Sequence, residues 1–353
     1  LVVADLLDGR TSTRSGSTPQ ASVTAACADR SSDAATLQAV IDRSAVGDEI
    51  VIAGPCLITH TIVLRGGRGY RGESVATTLT QAPGANLSAV LASDAWVDDT
   101  PHTGEPITLR DLTVDGNKDR NSSGSGDGVV IRSWNTQLEN LYIRDTRGDG
   151  LLIAGTSRGG VALGAGSTQV QGTIRGVDVS NAGGNGIHAQ DDGNAVTDWN
   201  LLDSFVGGTG KSAIRLENAG GWHVSGNHVY DCGESGIWAD RTYFTSIDDN
   251  LVEDFGRDGN GIRVSVQNGA PSVLNRNRVY QANADGGSTF VAVLGVTAGT
   301  GVLTVSDNVI RGVGTGTGLQ YDEAPGTLRV TSTGNNVSDV ATPVAGVAPQ
   351  PTY

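Results

Sequence analysis

Short apolar runs recur along the chain from about residue 107, each introduced by small residues, as in GDGLLI at 148–153 and GNGIRV at 259–264. The first apolar residues of the copies are Val129, Leu151, Ile187, Ile214, Ile237, Ile262, Phe290 and Leu319. They lie 22, 36, 27, 23, 25, 28 and 29 residues apart. Short strands and tight turns at this repeat length predict an all-β fold, a β-solenoid in which each repeat forms one coil.

A second repeated feature lies between these runs, where an asparagine stands inside a β-prone segment. The members are Asn140, Asn227, Asn250, Asn277 and Asn308. Asparagine accepts the left-handed backbone that tight turns need, and its amide both donates and accepts hydrogen bonds. We therefore expect these side chains to stack and to bond from one coil to the next.

The N-terminal region predicts one helix over about 34–44, with Leu37, Val40 and Ile41 on one apolar face and Asp33 as its N-cap. Such a helix would plug the open end of the solenoid, where unpaired strand edges invite aggregation. Strands near 49–53 and 57–64 would begin the coils. The predicted organisation is an extension over 1–30, a solenoid domain over 31–341 and a tail over 342–353.

The three cysteines show no C-x-x-C spacing, which argues against a zinc ribbon or a thioredoxin-type site. Cys27 and Cys56 flank the predicted helix. They either form a disulfide or remain reduced, and the sequence leaves both alternatives open. Cys232 is expected to be a buried free thiol.

Composition and charge narrow the function classes. Glycine accounts for 51 of 353 residues, about twice ordinary usage, as a turn-rich fold requires. The net charge of −14 argues against nucleic acid as a partner, because phosphate binding needs clustered lysine and arginine. No stretch reaches the ~18 apolar residues of a membrane span. The chain has no methionine and starts at Leu1, which leads us to expect a processed, secreted, extracellular protein.

The chain resembles the pectin-lyase-like superfamily in three features. These are the predicted helix followed by GDEIVIAGPCLITHTIVLRG, the segment ITLRDLTVDGNKDRN and the repeated apolar runs. The resemblance covers about residues 30–340. It implies a single-stranded right-handed parallel β-helix. The superfamily includes pectate and alginate lyases, polygalacturonases, mannuronan epimerases, inulin fructotransferases and phage tailspikes. The resemblance singles out none of these activities, and it leaves open whether the solenoids assemble as homotrimers.

Side chains alternate inward and outward along a strand, so the repeats define two outward columns. The first column is Val130, Leu152, His188, Arg215, Trp238, Arg263, Val291 and Gln320. The second column is Arg132, Ala154, Gln190, Glu217, Asp240, Ser265, Val293 and Asp322. The middle four coils form what we call the polar strip: His188, Gln190, Arg215, Glu217, Trp238, Asp240 and Arg263.

The polar strip combines an aromatic ring, bidentate donors and carboxylates, which a sugar-binding groove needs. Further candidates for substrate binding lie on the adjoining turns: Asp191, Lys211, Arg241 and Tyr243. The competing explanation is that an outer face is polar anyway and that the charged residues merely pair. The longer coil between Gly150 and Gly186 would wall the groove, mediate trimer contacts or form a plain loop.

Glu217 and Asp240 are the leading catalytic candidates, because they occupy one column on neighbouring coils. Parallel strands lie ~4.8 Å apart, which would bring the carboxyl groups to the separation of a retaining or transglycosylating glycosidase. Asp191 or Asp192 paired with Asp240 would span two coils, nearer the inverting separation. The predicted activity is that of a polysaccharide-cleaving hydrolase or transglycosidase, of which an enzyme similar to inulin fructotransferase is one form, and it needs no cofactor.

Two alternatives remain. A lyase or C5 epimerase acting on a uronate polymer would need a base and cations, which Lys211, Arg215, Arg263, His188 and Tyr243 would supply. Such a lyase would take Ca²⁺ through Asp191, Asp192 and Asp240. The second alternative is a non-catalytic glycan-binding fibre or adhesin, which would place no functional demand on Glu217 or Asp240.

Overall fold

The computed structural model describes residues 21–191, 193–267, 269–282, 287–295, 301–322 and 328–346. It is a parallel β-solenoid, as predicted, and every pair of named strands is parallel. No helix in the described part of the chain is long and apolar enough to cross a membrane.

One sheet, which we call sheet 1, contains eleven strands stacked one per coil. Its strands are Ile62–Leu64, Ala89–Ser93, Asp127–Ile131, Leu151–Ala154, Ile187–Gln190, Ile214–Leu216, Ile237–Thr242, Asn260–Val266, Thr289–Leu294, Thr317–Tyr321 and Thr342–Ala345.

The other sheet, sheet 2, consists of two ladders joined by two long strands, Ile107–Asp115 and Gln137–Arg144, that run through both. The first ladder adds Ser22–Ala26, Glu49–Ala53, Arg68–Gly72, Thr173–Arg175, Asn200–Leu202, His223–Ser225, Ser246–Asp248, Pro271–Asn275, Gly301–Ser306 and Leu328–Thr333. The second ladder adds Cys56–Ile58, Thr78–Gln81, Asp178–Ser180, Phe205–Thr209, His228–Cys232, Leu251–Glu253, Arg278–Tyr280, Val309–Arg311 and Asn336–Ser338.

The register of sheet 1 follows the predicted repeat over six coils. Leu151 pairs with Val129 and Ile187, and the pairing continues through Ile214 and Ile237 to Ile262. The next coil is shifted by one residue, because Val291 rather than Phe290 is the partner of Ile262. Phe290 is buried edge-to-face against Phe255. The outward residues of that coil are therefore Ala292 and Leu294, and the predicted Val291 and Val293 were wrong.

The strands extend past both predicted ends of the domain. Ser22–Ala26 pairs with Glu49–Ala53, and Thr342–Ala345 pairs with Thr317–Tyr321.

A helix, α1, spans Asp33–Arg43 and buries Leu37 and Ile41 in the core. Its plugging role stays a prediction. Two short helices follow, α2 at Asp94–Val97 and a 3₁₀ turn at Lys118–Arg120.

The predicted N-cap was wrong. Ser32 occupies the N-cap position of α1, and Asp33 is the first helical residue. The Asp33 carboxylate instead accepts hydrogen bonds from the backbone N–H groups of Ala28, Arg30 and Leu57. It therefore ties the segment before the helix, and the strand after it, to the helix start.

Cys27 and Cys56 form a disulfide, with Cα atoms 4.9 Å apart, and this bond closes the loop that contains α1. In the chain-entropy model such a loop closure stabilises the fold by roughly 3–4 kcal/mol. Cys232 is a buried free thiol, as predicted.

The asparagine ladder runs through Asn227, Asn250, Asn277, Asn308 and Asn335. From Asn250 onward, each Oδ1 accepts bonds from the backbone N–H and the amide of the preceding asparagine, as when Asn250 Oδ1 lies 3.0 Å from both Asn227 N and Nδ2. Asn140 was wrongly placed in this ladder. It has a φ of 50° and is exposed, and its amide donates to Asp111.

Asn250→Ala should lower the urea midpoint of unfolding by the equivalent of about 2 kcal/mol or more. The substitution leaves the buried Asn227 N–H without its acceptor and removes the amide donor to the Val224 carbonyl. Asn140→Gly is the matched control, because it removes an exposed amide where the backbone already has positive φ. Equal effects of the two substitutions would contradict a stabilising role for the ladder.

Candidate functional site

The structure brings four predicted residues together as direct neighbours on the outward face of sheet 1. His188 pairs with Arg215, Arg215 with Trp238, and Trp238 with Arg263. All four are partly buried. The polar strip is therefore a continuous row across four coils.

Trp238 is held between two guanidinium groups. The Cζ atom of Arg215 lies 3.7 Å from the ring centroid, and that of Arg263 lies 4.3 Å from it. Stacked cations of this kind attract the ring through its quadrupole. Because the two guanidinium groups cover the ring, the predicted role of Trp238 as a platform for a sugar does not fit this geometry.

Asp240 is fully engaged by its neighbours. Its Oδ2 lies 2.8 Å from an Arg215 amino group, and its Oδ1 accepts hydrogen bonds from Trp238 Nε1 at 2.9 Å and Ser265 Oγ at 3.3 Å. The carboxylate therefore fixes the Arg–Trp stack.

Glu217 belongs to a different network. His188 Nε2 lies 3.4 Å from Glu217 Oε1, and the other imidazole nitrogen, Nδ1, lies 2.7 Å from Asp149 Oδ2. Burial alone would lower the pKa of His188, but the hydrogen bonds to Asp149 and Glu217 outweigh it and raise the pKa to about 9. The hydrogen bond from His188 lowers the pKa of Glu217, against its partial burial. At neutral pH the pair is an imidazolium beside a carboxylate.

Glu217 and Asp240 come at corresponding positions of neighbouring coils, one residue beyond the pair Leu216–Ala239. They nevertheless have separate partners, since Glu217 contacts His188 and the Asp191 backbone N–H. The two carboxylates of the predicted pair are thus neighbours in the strand register but are held by different partners. The group that shares a proton with Glu217 is His188.

Sequence reasoning missed Asp149 and Asp127. Both stand in the middle of a Gly-Asp-Gly triplet that introduces an apolar run. Asp127 Oδ1 accepts a hydrogen bond from Asp149 N at 2.8 Å, and Asp149 Oδ1 accepts one from Asn185 N at 2.6 Å. A Cβ at Gly184 would lie 2.4 Å from Asp149 Oδ1, so only glycine allows this approach. The repeated triplet was the signal that could have found the column.

Asp127 is more deeply buried than Asp149. Burial, together with the nearby charge of Asp149, raises the pKa of Asp127 to about 7. Its neutral form is therefore favoured in the folded protein, and ionising it costs stability.

Two of the turn residues predicted to contact substrate, Asp191 and Tyr243, serve the turns themselves. The Asp191 carboxylate is buried and accepts hydrogen bonds from the backbone N–H groups of Gly193, Ala195 and Val196. Burial raises its pKa despite these bonds. The Tyr243 hydroxyl donates to Asn194. Asp192 lies outside the described residues.

Gln190 faces the long insertion rather than open solvent. Its Oε1 accepts a hydrogen bond from Thr156 Oγ1 at 2.8 Å. A cavity of about 240 Å³ lies beside this contact, lined by Thr156, Asp191 and Asn194. The insertion therefore lines a cavity next to the polar strip.

Lys211, Arg241 and Arg263 form no ion pair with a carboxylate in the part of the chain that the structure describes. Lys211 is exposed on the turn before its strand. Arg263 borders a cavity of about 330 Å³ that is also lined by Glu234, Arg257 and Asn260. These cations remain available to a ligand.

The residues do not fit the Ca²⁺ site that a lyase would use. Asp191 is committed to its turn and Asp240 to Arg215. Within the described ranges, no group of three or more histidine, cysteine, aspartate or glutamate side chains is arranged to hold a metal ion.

Asp127→Asn should stabilise the protein at pH 8 and change its stability much less at pH 4. A folded-state pKa of about 7, above the unfolded value, means that the stability contributed by Asp127 is lost as the pH rises from about 4 to 7. Asparagine keeps the acceptor for Asp149 N–H. The thermal unfolding midpoint measured at both pH values tests this, with exposed Asp119→Asn as the control. A lower midpoint for Asp127→Asn at pH 8 would contradict it.

The family model described as right-handed beta helix region matches residues 127–338. No curated protein sequence matches the chain. Among solved structures, the Azotobacter vinelandii mannuronan C-5 epimerase AlgE4 A-module superposes with a TM-score of 0.65 at 18% identity, covering 92% of this chain and 96% of that one. The Dettilon tailspike protein gp208 gives 0.57 at 14% identity, covering 92% and 68%. The Agl-KA catalytic domain gives 0.56 at 12% identity, covering 92% and 69%.

These likenesses confirm the predicted resemblance at the level of the fold, a right-handed parallel β-helix of the pectate-lyase-like type. More than half of the chain matches the family model, and the protein belongs to the right-handed β-helix family.

Proposed function

We propose that the protein is an extracellular enzyme that cleaves glycosidic bonds of a polysaccharide at the polar strip, by hydrolysis or by transfer. The observation that carries this proposal is the His188–Glu217 pair, a protonated imidazole 3.4 Å from an ionised carboxylate on the outward face of sheet 1. The pair supplies a proton donor and an anion side by side.

The chemistry follows from the two charge states. As the bond between the anomeric carbon and the leaving oxygen breaks, His188 Nε2 donates its proton to that oxygen. Glu217 stabilises the positive charge that develops at the anomeric carbon. Water, or a sugar hydroxyl in transfer, then bonds to that carbon and returns a proton to Nε2. Asp240 acts as a positioning residue, in place of the second catalytic carboxylate that we expected.

A polymeric sugar substrate agrees with two further observations. The strip extends over four coils, so it is long enough for several sugar rings, and its Arg263 has no carboxylate partner among the described residues. One structure of the same fold is a mannuronan C-5 epimerase module, and we extend the substrate class, a sugar polymer, to this chain. The Cys27–Cys56 disulfide favours an oxidising, extracellular compartment.

Elimination or C5 epimerisation of a uronate is the second candidate. It is favoured by the short His188–Glu217 separation, which suits proton transfers on one side of a sugar ring, and by Arg263, which is free to neutralise a substrate carboxylate. Against it, the lowered pKa makes Glu217 a weak base for a carbon-bound proton.

Product analysis separates these reactions. The protein is incubated with alginate, polygalacturonate, inulin and xylan in oxygen-labelled water, and the products are weighed by mass spectrometry. Hydrolysis adds one labelled water per bond, whereas transfer adds none. Elimination adds none and gives the ultraviolet absorbance of an unsaturated uronate, and epimerisation leaves the chain length unchanged. The absence of any product would overturn the proposal of an enzyme acting on these polymers.

Glu217→Gln and His188→Asn should each reduce kcat on the cleaved polymer by about 10²–10⁴-fold, because each removes one partner of the proton-transfer pair. The matched controls are Glu253→Gln and His228→Asn. These residues form a similar pair, 2.9 Å apart, on sheet 2. Activity should survive the control substitutions. Full activity of Glu217→Gln would rule out its catalytic role.

The pH dependence offers an independent test. Cleavage requires protonated His188, so kcat/KM should fall above about pH 9. Asp149→Asn removes the carboxylate bound to Nδ1, which should lower the pKa of His188 and move the alkaline limb toward neutral pH by ~1 unit or more. Asp145→Asn, on the neighbouring turn, serves as the control. An unmoved limb in Asp149→Asn would show that His188 is not the proton donor.

A further inference from the structure

The first outward column of sheet 1 changes from polar to apolar on the N-terminal side of His188. Its residues there are Ala92, Val130 and Leu152, which pair in register up to His188. Ala92 and Val130 are completely buried although they point away from the solenoid core. Another layer must therefore cover these coils.

That layer begins with α2. Trp96 of α2 packs in a separate apolar cluster with Ala89, Ala92, Val130 and Ala154. Trp96 is itself only 6% exposed. The helix thus lies on the outer face of sheet 1 over the coils that precede the polar strip.

The long insertion completes the layer. Arg158 N donates to the Trp96 carbonyl at 3.0 Å, and Gly164 N donates to the Pro101 carbonyl at 2.8 Å. Ser157 Oγ donates to Asp99 Oδ1 at 2.7 Å. Residues 94–104 and 156–168 are therefore bonded into one body, which we call the plug.

A buried arginine fastens the plug to the sheet. Arg132 lies in the second outward column and is completely buried. Its guanidinium donates to the carbonyls of Ala95 at 3.2 Å, Val161 at 2.9 Å and Thr100. These acceptors come from both segments of the plug. The charge of Arg132 has no carboxylate partner among the described residues, so the carbonyls alone hold it.

The plug meets the polar strip directly beside the reacting pair. Thr156, at the edge of the plug, bonds to Gln190 of the His188 strand, and Leu152 packs against the apolar cluster. Glu217 comes on the second coil after Leu152. At ~4.8 Å per coil, a sugar chain lying along the strip has about 10 Å between Glu217 and Leu152, and about one coil between Glu217 and the plug edge at Gln190.

We propose that the plug closes the strip on its N-terminal side and makes the enzyme act at one end of a polysaccharide, releasing products of about one or two sugars. The inference rests on the proposed function. A polymer cleaved in its interior would have to continue past Glu217 in both directions along the strip. On the plug side it would meet Leu152 and Thr156.

Time-resolved cleavage of the active polymer tests the proposal. The wild-type protein should release products of one or two sugars from the first time point, while viscosity falls only in proportion to the sugar released. Intermediate sizes and an early loss of viscosity would show internal cleavage and would overturn this inference while leaving the proposed function intact. The absence of cleavage of every polymer would overturn both.

A plug variant extends the test. Replacing residues 157–163 by two glycines removes the insertion's contacts with Trp96 and Asp99. This change should open the strip, produce longer products and increase the viscosity loss per bond cleaved several-fold. Arg175→Ala, an exposed change on sheet 2, is the control. Unchanged product sizes in a folded plug variant would overturn the inference. Were that variant unfolded, the wild-type product profile would still decide.

Discussion

The structure depends on one constraint, the in-register hydrogen bonding of each coil to the next. Parallel pairing places a residue ~4.8 Å from its equivalents on both neighbouring coils. Inside the solenoid this rule builds one apolar core, and at one turn it builds the buried asparagine ladder from Asn227 to Asn335. On the outside it forces polar residues far apart in sequence into contact, so the geometry of the candidate site is set by backbone pairing more than by any loop.

Close stacking of charged side chains has electrostatic consequences that decide their roles. Asp240 is neutralised by Arg215, and the two arginines share the Trp238 ring, so that part of the strip is a rigid ion and cation–π stack. In the neighbouring network Asp149 keeps His188 charged, and His188 keeps Glu217 ionised. Two carboxylates at equivalent positions thereby acquire different functions, one structural and one chemical.

The sequence predicted the architecture because the repeat is local: an apolar residue such as Ile237 or Ile262, preceded by glycine, sets both the strand and its phase. The predicted inward and outward positions were wrong at Phe290, because residues 290–294 are all apolar and their alternation carries no information. The strip was predicted from the same phase. The role of Asp149 was not, because it depends on a contact with His188, which is 39 residues away. The plug was also missed, since the packing of Trp96 on sheet 1 leaves no periodic signal.

Asp149 and Glu217 hold His188 as an imidazolium on the outward face of sheet 1 at neutral pH, and the proposed chemistry depends on this charge state. The most direct measurement is an NMR titration of the His188 imidazole nitrogens, assigned with the His188→Asn variant. We expect the imidazole to titrate near pH 9, with both nitrogens protonated at pH 7. Titration at or below the ordinary histidine value of about 6.5 would contradict it, because the imidazole would then have no proton to donate at neutral pH.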